Sequence, residues 1–129
     1  MPKPSDPPRP TDAELEILTV LWSRGASTVR DVHEVLQARK AAQYTTVLKL
    51  MQIMAEKGLV RRNEEQRAHV YEASRPREWT QRQLAGDLLQ RAFAGSARGL
   101  MLGALSAKKA SKAELAELRR LLDEYEEGK

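Results

Sequence analysis

The chain has 129 residues, of which 31% are charged and 5% aromatic, and it contains no cysteine. This length suits one or two small domains with aliphatic cores, and the lack of cysteine excludes disulfides, thiol nucleophiles and thiolate metal sites. The longest apolar run is too short to cross a bilayer and the N-terminus has no signal-peptide core, so we expect a cytoplasmic protein without membrane insertion.

The formal net charge is +4, and the positive surplus lies between Arg24 and Arg75. That stretch holds ten lysines and arginines against six aspartates and glutamates, and the remainder of the chain is balanced. A concentrated positive field favours polyanions such as nucleic acid. An ordinary solvated surface would have the same composition, so charge alone leaves both interpretations open.

Local signals predict three helices in the first half of the chain. Residues 1–10, five of them proline, predict a disordered arm. Thr11 then begins a helix through a capping box with Glu14, and a second box from Thr28 to Asp31 begins another. After a polar connection, YTTVLKLMQIMAEK predicts a third helix that Gly58 closes.

Two short strands follow the third helix. Residues Leu59–Arg62 and Ala68–Ala73 have strand character, and the charged turn NEEQR joins them into a predicted hairpin. Three helices followed by a β-hairpin form the winged helix-turn-helix plan. We therefore expect a mainly α fold with a small β-hairpin, in which residues 11–75 form a winged-helix DNA-binding domain.

The remainder of the chain, residues 76–129, predicts a helical dimerisation domain. Three leucine-rich helices of this length bury little surface by themselves, and such segments usually complete their core against another copy. The alternative is that they fold back onto the first domain. The predicted dimer contacts are Leu84, Leu88, Leu89, Phe93, Leu100, Leu105, Leu115, Leu118 and Leu122.

The third helix has two chemically different faces on a 3.6-residue period. Opposite the apolar side lie Thr45, Lys49 and Gln52, in the N-terminal two turns that enter the major groove when a helix of this kind binds DNA. Glutamine suits adenine, and lysine suits guanine or phosphate. The same residue types are also common on solvated surfaces. The predicted buried stripe consists of Val47, Leu50, Met51 and Met54.

Neighbouring residues extend the predicted DNA-binding surface. Basic side chains of a hairpin in this position can reach the DNA backbone or the minor groove. The alternative is that they balance Glu64 and Glu65 locally. Leu48 and Ile53 flank the polar face and either pack on neighbouring elements or contact the duplex. The complete predicted surface is Lys40, Gln43, Tyr44, Thr45, Thr46, Lys49, Gln52, Arg61, Arg62, Arg67 and His69.

Nothing in the sequence predicts catalysis. The two histidines, His33 and His69, lie far apart, and His33 falls on the apolar side of its helix, as a packing residue does. The chain has no HExxH motif, phosphate-binding loop or serine-nucleophile motif. We therefore expect a non-enzyme without a metal or cofactor.

Several segments together resemble the penicillinase-repressor family of bacterial transcription regulators, of the BlaI/MecI/CopY type. They cover nearly all of the chain after the proline-rich arm. The most specific is YTTVLKLMQIMAEKGLV followed by RAHVYEA, with a tryptophan at the end of the first helix. The others are PTDAELEILTVLWSRG, TVRDVHEVL, FAGSARGLMLGAL and SKAELAELRRLLDE.

The resemblance implies a cytoplasmic homodimer. Its winged helices bind a palindromic operator on double-stranded DNA, and its C-terminal helices intertwine. Such proteins repress genes for β-lactam resistance or related stress responses. The resemblance also implies a membrane sensor metalloprotease, or a protease downstream of it, that releases the repressor by cleaving the dimerisation region.

This chain departs from the family pattern in three places. It lacks the C-terminal cysteine motif of the copper-responsive branch. It has Gly103-Ala104 where staphylococcal-like members are cut at an Asn-Phe bond, and Ile53 where the family commonly has arginine. Two alternative functions stay open: a winged-helix protein-interaction module, and a ligand-responsive regulator without proteolytic release.

Overall fold

The computed structural model describes residues 9–128 of the chain. Residues 1–8, most of the predicted disordered arm, lie outside the described residues. The structure confirms the mainly α class and the winged helix-turn-helix plan followed by helices. The elements in chain order are α1 (Asp12–Arg24), β1 (Ser27–Thr28), α2 (Val29–Arg39), α3 (Tyr44–Lys57), β2 (Val60–Asn63), β3 (Val70–Ala73), α4 (Arg77–Phe93), α5 (Ala97–Ala107) and α6 (Lys112–Glu126).

Both capping boxes predicted in the first half of the chain form. The Thr11 hydroxyl accepts a hydrogen bond from the Glu14 amide, and the Thr11 amide donates to the Glu14 carboxylate at 2.9 Å. Thr28 and Asp31 exchange the same two bonds at the start of α2. These reciprocal bonds satisfy amides that the first turn of a helix leaves without partners, and they explain where α1 and α2 begin.

Gly58 ends α3 in the left-handed conformation, with φ of 83°. Its amide donates to the carbonyl groups of Met54 and Ala55, and the next amide, that of Leu59, donates to Met54. A residue with a Cβ would be strained at this φ, so glycine permits the sharp exit from α3 into β2.

The sheet has three antiparallel strands in the order β1-β3-β2. Strands β2 and β3 pair from Val60 opposite Ala73 to Asn63 opposite Val70, as the predicted hairpin requires. Strand β1 adds two further pairs to the other edge of β3. The sequence does not predict β1, because two residues cannot show an alternating pattern and Thr28 also serves as the helix cap.

The core of the winged helix lies between α1, α2, α3 and the sheet. In α3, Val47, Met51 and Met54 are buried as predicted, whereas Leu50 is half-buried and packs against the core. Tyr71 of β3 is the largest fully buried side chain. The remaining buried apolar residues are Ile17, Leu18, Val20, Leu21, Val29, Val32, Leu36 and Val60.

An ion pair with a buried carboxylate joins the start of α1 to the end of α3. The Glu14 side chain is 3% exposed, and its carboxylate lies 2.7 Å from the ammonium group of Lys57, whose side chain is 32% exposed. Lys57 also donates to the Arg9 carbonyl. Burial raises the pKa of Glu14, but the hydrogen bonds from Lys57 and Thr11 lower it more, so its pKa lies below the ordinary value.

Trp22 of α1 contacts the segment that follows β3. Its indole N–H donates to the Arg75 carbonyl at 2.9 Å. The Arg77 guanidinium lies 5.9 Å from the centre of the Trp22 ring and donates to the Ser23 hydroxyl. Together these contacts attach the first turn of α4 to the C-terminal end of α1.

The chain divides into two compact units, one ending at Leu84 and the other beginning at Ala85. Helix α4 therefore begins in the first unit and ends in the second, and the predicted boundary after Arg75 stays a prediction. In the second unit α5 and α6 contain no buried residue, and Leu102 and Leu122 are 56% and 59% exposed. Among residues 9–128 no helix is both long and apolar enough to cross a membrane.

We expect Glu14→Gln to lower the free energy of unfolding by about 1–3 kcal/mol near neutral pH, because a charge-assisted buried hydrogen bond becomes a neutral one. The Glu14 pKa is depressed in the folded state, so its contribution is present above the ordinary pKa of a glutamate. It is lost as the pH falls through the lower folded-state value.

Urea denaturation across acidic and neutral pH measures both effects. Glu16→Gln is the matched control, since Glu16 lies on the same helix as Glu14 and forms a more exposed pair, with Lys40. Equal losses for the two variants, or a Glu14→Gln loss that does not shrink in acid, would contradict the assignment.

Candidate nucleic-acid interface

Helices α2 and α3 form a helix-turn-helix through a short connection. Helix α2 ends at Arg39 with Lys40 as its C-cap, and α3 begins at Tyr44. His33 of α2 is half-buried and its Nε2 lies 2.8 Å from the Ala42 carbonyl oxygen. Since the carbonyl can only accept, His33 donates through Nε2. The connection is thus attached to α2 before the chain enters α3.

The first turn of α3 leaves backbone donors available. Gln43 precedes the helix in an extended conformation and its side chain makes no capping bond. The amides of Thr46 and Val47 donate to the Gln43 carbonyl, whereas those of Tyr44 and Thr45 have no acceptor among the described residues. Free amides at a helix N-terminus carry a partial positive charge and suit an anionic partner.

The polar face of α3 is exposed and free of internal contacts. Thr45, Thr46, Lys49 and Gln52 are all exposed, and within residues 9–128 their side chains form no hydrogen bond or ion pair. Glu56 is also exposed, at the far end of the helix. The donors and acceptors of this face are therefore available to a partner without first breaking a protein contact.

The two apolar residues that flank the polar face differ from each other. Leu48 is half-buried and packs against the buried cluster, which agrees with the packing alternative. Ile53 is half-buried as well, but it does not belong to that cluster. Part of the Ile53 side chain therefore stays accessible beside Lys49 and Gln52.

Strands β2 and β3 and the turn between them form the wing, and its basic residues fall into two groups. Arg61 pairs with Glu72 at 3.1 Å and Arg62 with Glu64, in agreement with the alternative of local charge balance. The Tyr71 hydroxyl and the Glu64 carboxylate raise the pKa of Arg62. The group without partners is Arg67 and His69, which are exposed and make no polar contact in the described part of the chain.

Lys40, in the connection before α3, is paired with a carboxylate, as Arg61 and Arg62 are. Its ammonium group lies 3.4 Å from the Glu16 carboxylate, and the two side chains are 67% and 45% exposed. Exposed pairs of this kind contribute only about 0–1 kcal/mol, so Lys40 can exchange Glu16 for another anion at little cost.

The structure brings most of the predicted residues to two neighbouring surfaces, the exposed side of α3 and the wing. Gln43, Tyr44, Thr45 and Thr46 lie at the start of α3, and Lys49 and Gln52 continue along its exposed face. Strand β2 packs directly against α3, which places the wing beside this helix. Sequence reasoning assigned His33 to packing and missed its bond to the connection, because that bond depends on how the chain turns after α2.

A helix-turn-helix with an exposed polar third helix and an adjacent basic wing defines the winged-helix class of DNA-binding proteins. The sequence profile described as Penicillinase repressor matches residues 10–124. Two proteins named Transcriptional regulator BlaI, from Mycobacterium tuberculosis strains CDC 1551 / Oshkosh and ATCC 25618 / H37Rv, are each 37% identical over 119 residues. The match covers 91% of this chain and 85% of each relative.

The chain therefore belongs to the penicillinase repressor family, and the protein is a transcriptional repressor. The match extends through both compact units, so the helical second half belongs to the family pattern as much as the winged helix does. Within residues 9–128 no group of three or more metal-ligating side chains is close enough to hold an ion.

Proposed function

We propose that the protein represses transcription as a homodimer that places α3 of each copy in the major groove of a palindromic operator. The observation that carries this proposal is the exposed face of Thr45, Lys49 and Gln52, whose polar groups have no partner inside the described chain. A ligand can therefore bind to these groups without breaking a contact within the described chain.

The chemistry of this face suits a duplex. The Gln52 carboxamide can pair with N6 and N7 of adenine, and the Lys49 ammonium group can donate to guanine or to a phosphate. The free amides of Tyr44 and Thr45 are suited to a backbone phosphate at the start of the helix. Together with Gln43, Thr46 and Lys40, these groups form the proposed contact surface of α3 and the connection.

The wing supplies non-specific affinity in this proposal. Arg67 and His69 contact phosphates directly because nothing in the described chain competes for them. Arg61 and Arg62 would have to exchange a carboxylate for a phosphate, so their net contribution is smaller. Phosphate contacts of this kind release counterions, and binding should weaken steeply as salt rises.

The C-terminal helices are proposed to form the dimer. Leu88, Leu105 and Leu122 are exposed, and the other six predicted contact residues are only half-buried. A second copy would cover this apolar surface, and two identical DNA-binding units related by a two-fold axis match a palindromic operator. We accordingly propose residues 11–75 as the DNA-binding domain and residues 76–129 as the dimerisation domain.

Release of the repressor is proposed to follow cleavage near Gly103-Ala104. Both residues are exposed and lie within α5, where glycine makes the helix less stable by about 1 kcal/mol relative to alanine. A cut there would remove α6 from the dimer. Because two linked DNA-binding units bind far more tightly than one, the operator would then be vacated.

A membrane sensor metalloprotease, or a protease that it activates, is the partner proposed for this step. The repressor itself acts in the cytoplasm in this proposal. The regulated genes are proposed to be of the β-lactam-resistance or stress-response type, following family membership. Selection of bound duplexes from a random pool, followed by a search for the consensus in promoters, tests the proposal as a whole.

Lys49→Ala and Gln52→Ala should each weaken binding to the selected duplex by about 1–3 kcal/mol, because each removes a base contact. Fluorescence anisotropy titration measures this loss. Lys109→Ala, which removes the same charge from an exposed site between α5 and α6, and Gln81→Ala, on an exposed face of α4, are matched controls. Unchanged affinity in both test variants would eliminate this face as the recognition surface.

Arg67→Ala should weaken binding to cognate and random duplexes alike. It should also reduce the slope of log affinity against log salt by about 1, since one phosphate contact is lost. Arg62→Ala is the matched control and should have a smaller effect, because Arg62 is already paired with Glu64. A larger effect for Arg62→Ala would show that the free guanidinium is not the principal wing contact.

The molar mass in solution should approach twice 14.6 kDa as concentration rises. Leu118→Asp should shift sedimentation equilibrium towards the monomer, because it buries a charge in the proposed interface. Ala116→Asp introduces the same charge on the opposite, exposed face of α6 and should leave the dimer intact. A wild-type protein that stays monomeric at high concentration would exclude this assembly.

A further inference from the structure

His33 connects α2 with the residues that begin α3. Its ring is half-buried, and Nε2 donates to the Ala42 carbonyl at 2.8 Å. On the other side of the connection, the Tyr44 ring meets the His33 ring edge to face, with centroids 5.6 Å apart and planes at 79°. One side chain of α2 thus contacts the chain immediately before α3 and the first residue of α3.

These contacts hold the start of α3, which has no side-chain N-cap. The side chains of Thr11, Thr28, Ser96 and Ser111 cap α1, α2, α5 and α6, whereas Gln43 does not cap α3. A side-chain cap contributes about 1 kcal/mol and holds the first turn in place. In α3 the Ala42–Gln43 peptide is instead held from outside the helix, by a residue nine positions earlier in the chain.

The orientation of that peptide determines where the free donors of α3 point. The amides of Tyr44 and Thr45 follow Ala42 by two and three residues, and they have no acceptor within residues 9–128. Rotation of the peptide would displace these amides and the exposed Thr45 side chain together. Small displacements at a contact surface misalign hydrogen bonds, and a hydrogen bond weakens steeply as its angle departs from linearity.

We propose that His33 is a positioning residue for operator binding, which holds the start of α3 by donating from Nε2 to the Ala42 carbonyl. His33 does not itself touch the duplex in this proposal. It acts through Tyr44 and Thr45, whose backbone amides approach a phosphate. The inference rests on the proposed function, since it gives α3 the role of recognition helix.

The variants His33→Gln and His33→Met test this role as a matched pair. Glutamine and methionine are similar in length and in helix propensity, and both variants lack the ring that contacts Tyr44. Only glutamine retains a nitrogen donor near the position of Nε2. We expect the methionine variant to bind the duplex selected by the wild-type protein about 2- to 10-fold more weakly than the glutamine variant, the effect of one hydrogen bond.

Two spectroscopic measurements separate positioning from a general loss of stability. In the wild-type protein, a long-range ¹H–¹⁵N spectrum should show a proton on Nε2 of His33. The amide signals of Tyr44 and Thr45 should shift in His33→Met and stay closer to the wild-type positions in His33→Gln. Binding is compared at a temperature well below the unfolding midpoint of either variant.

Equal affinities for the two variants, or a wild-type His33 without a proton on Nε2, would overturn the inference. The second result applies even if His33→Met fails to fold. Failure of the wild-type protein to select any duplex would instead reject the proposed function. A wild-type protein that binds its operator while both variants bind equally would reject the role of His33 alone.

Discussion

Burial of one stripe of α3 determines which side chains of this helix face solvent. Val47 and Met54 point into the core between α1, α2 and the sheet, and Met51 between them is fully buried. Because a helix is rigid about its axis, this burial also determines which side faces solvent. Thr45, Lys49 and Gln52 are exposed as a consequence, and a rotation that hid them would expose about three large apolar side chains at several kcal/mol.

Polar contacts then hold α3 at both of its ends. The ion pair between Glu14 and Lys57 attaches the last turn to α1, and the bond from His33 to Ala42 restrains the chain before the first turn. Apolar packing is tolerant of small sliding, whereas hydrogen bonds are directional. The two kinds of contact are therefore complementary, since one selects the face of the helix and the other limits its position.

The second compact unit differs from the winged helix in how little of its apolar surface is buried. Its helices have clear apolar stripes, yet no residue of α5 or α6 is buried in the described chain. Removing aliphatic surface from water is favourable, and a single copy of the unit leaves much of this surface in contact with water. The winged helix completes its core within one chain, whereas α5 and α6 leave their apolar stripes accessible.

Much of the fold could be predicted because its signals are local. The capping boxes at Thr11 and Thr28, the stop at Gly58 and the two faces of α3 depend on residues within one or two helical turns of each other. The predicted hairpin also formed, with its strands beginning one and two residues later than expected. Strand β1 gave no such signal, since its pairing partner lies more than forty residues away.

The amino-acid sequence by itself determined the class of fold, the helix that carries the polar face and the chemical types available on that face. Only the tertiary structure decided which of those side chains are free. Arg62 and Arg67 are the same residue type in the same wing, but Glu64 pairs with one of them and not the other. His33 likewise differs from an ordinary packing histidine only because the connection places the Ala42 carbonyl within reach. Such differences depend on distances between groups that the chain brings together on folding, and a linear pattern does not contain those distances.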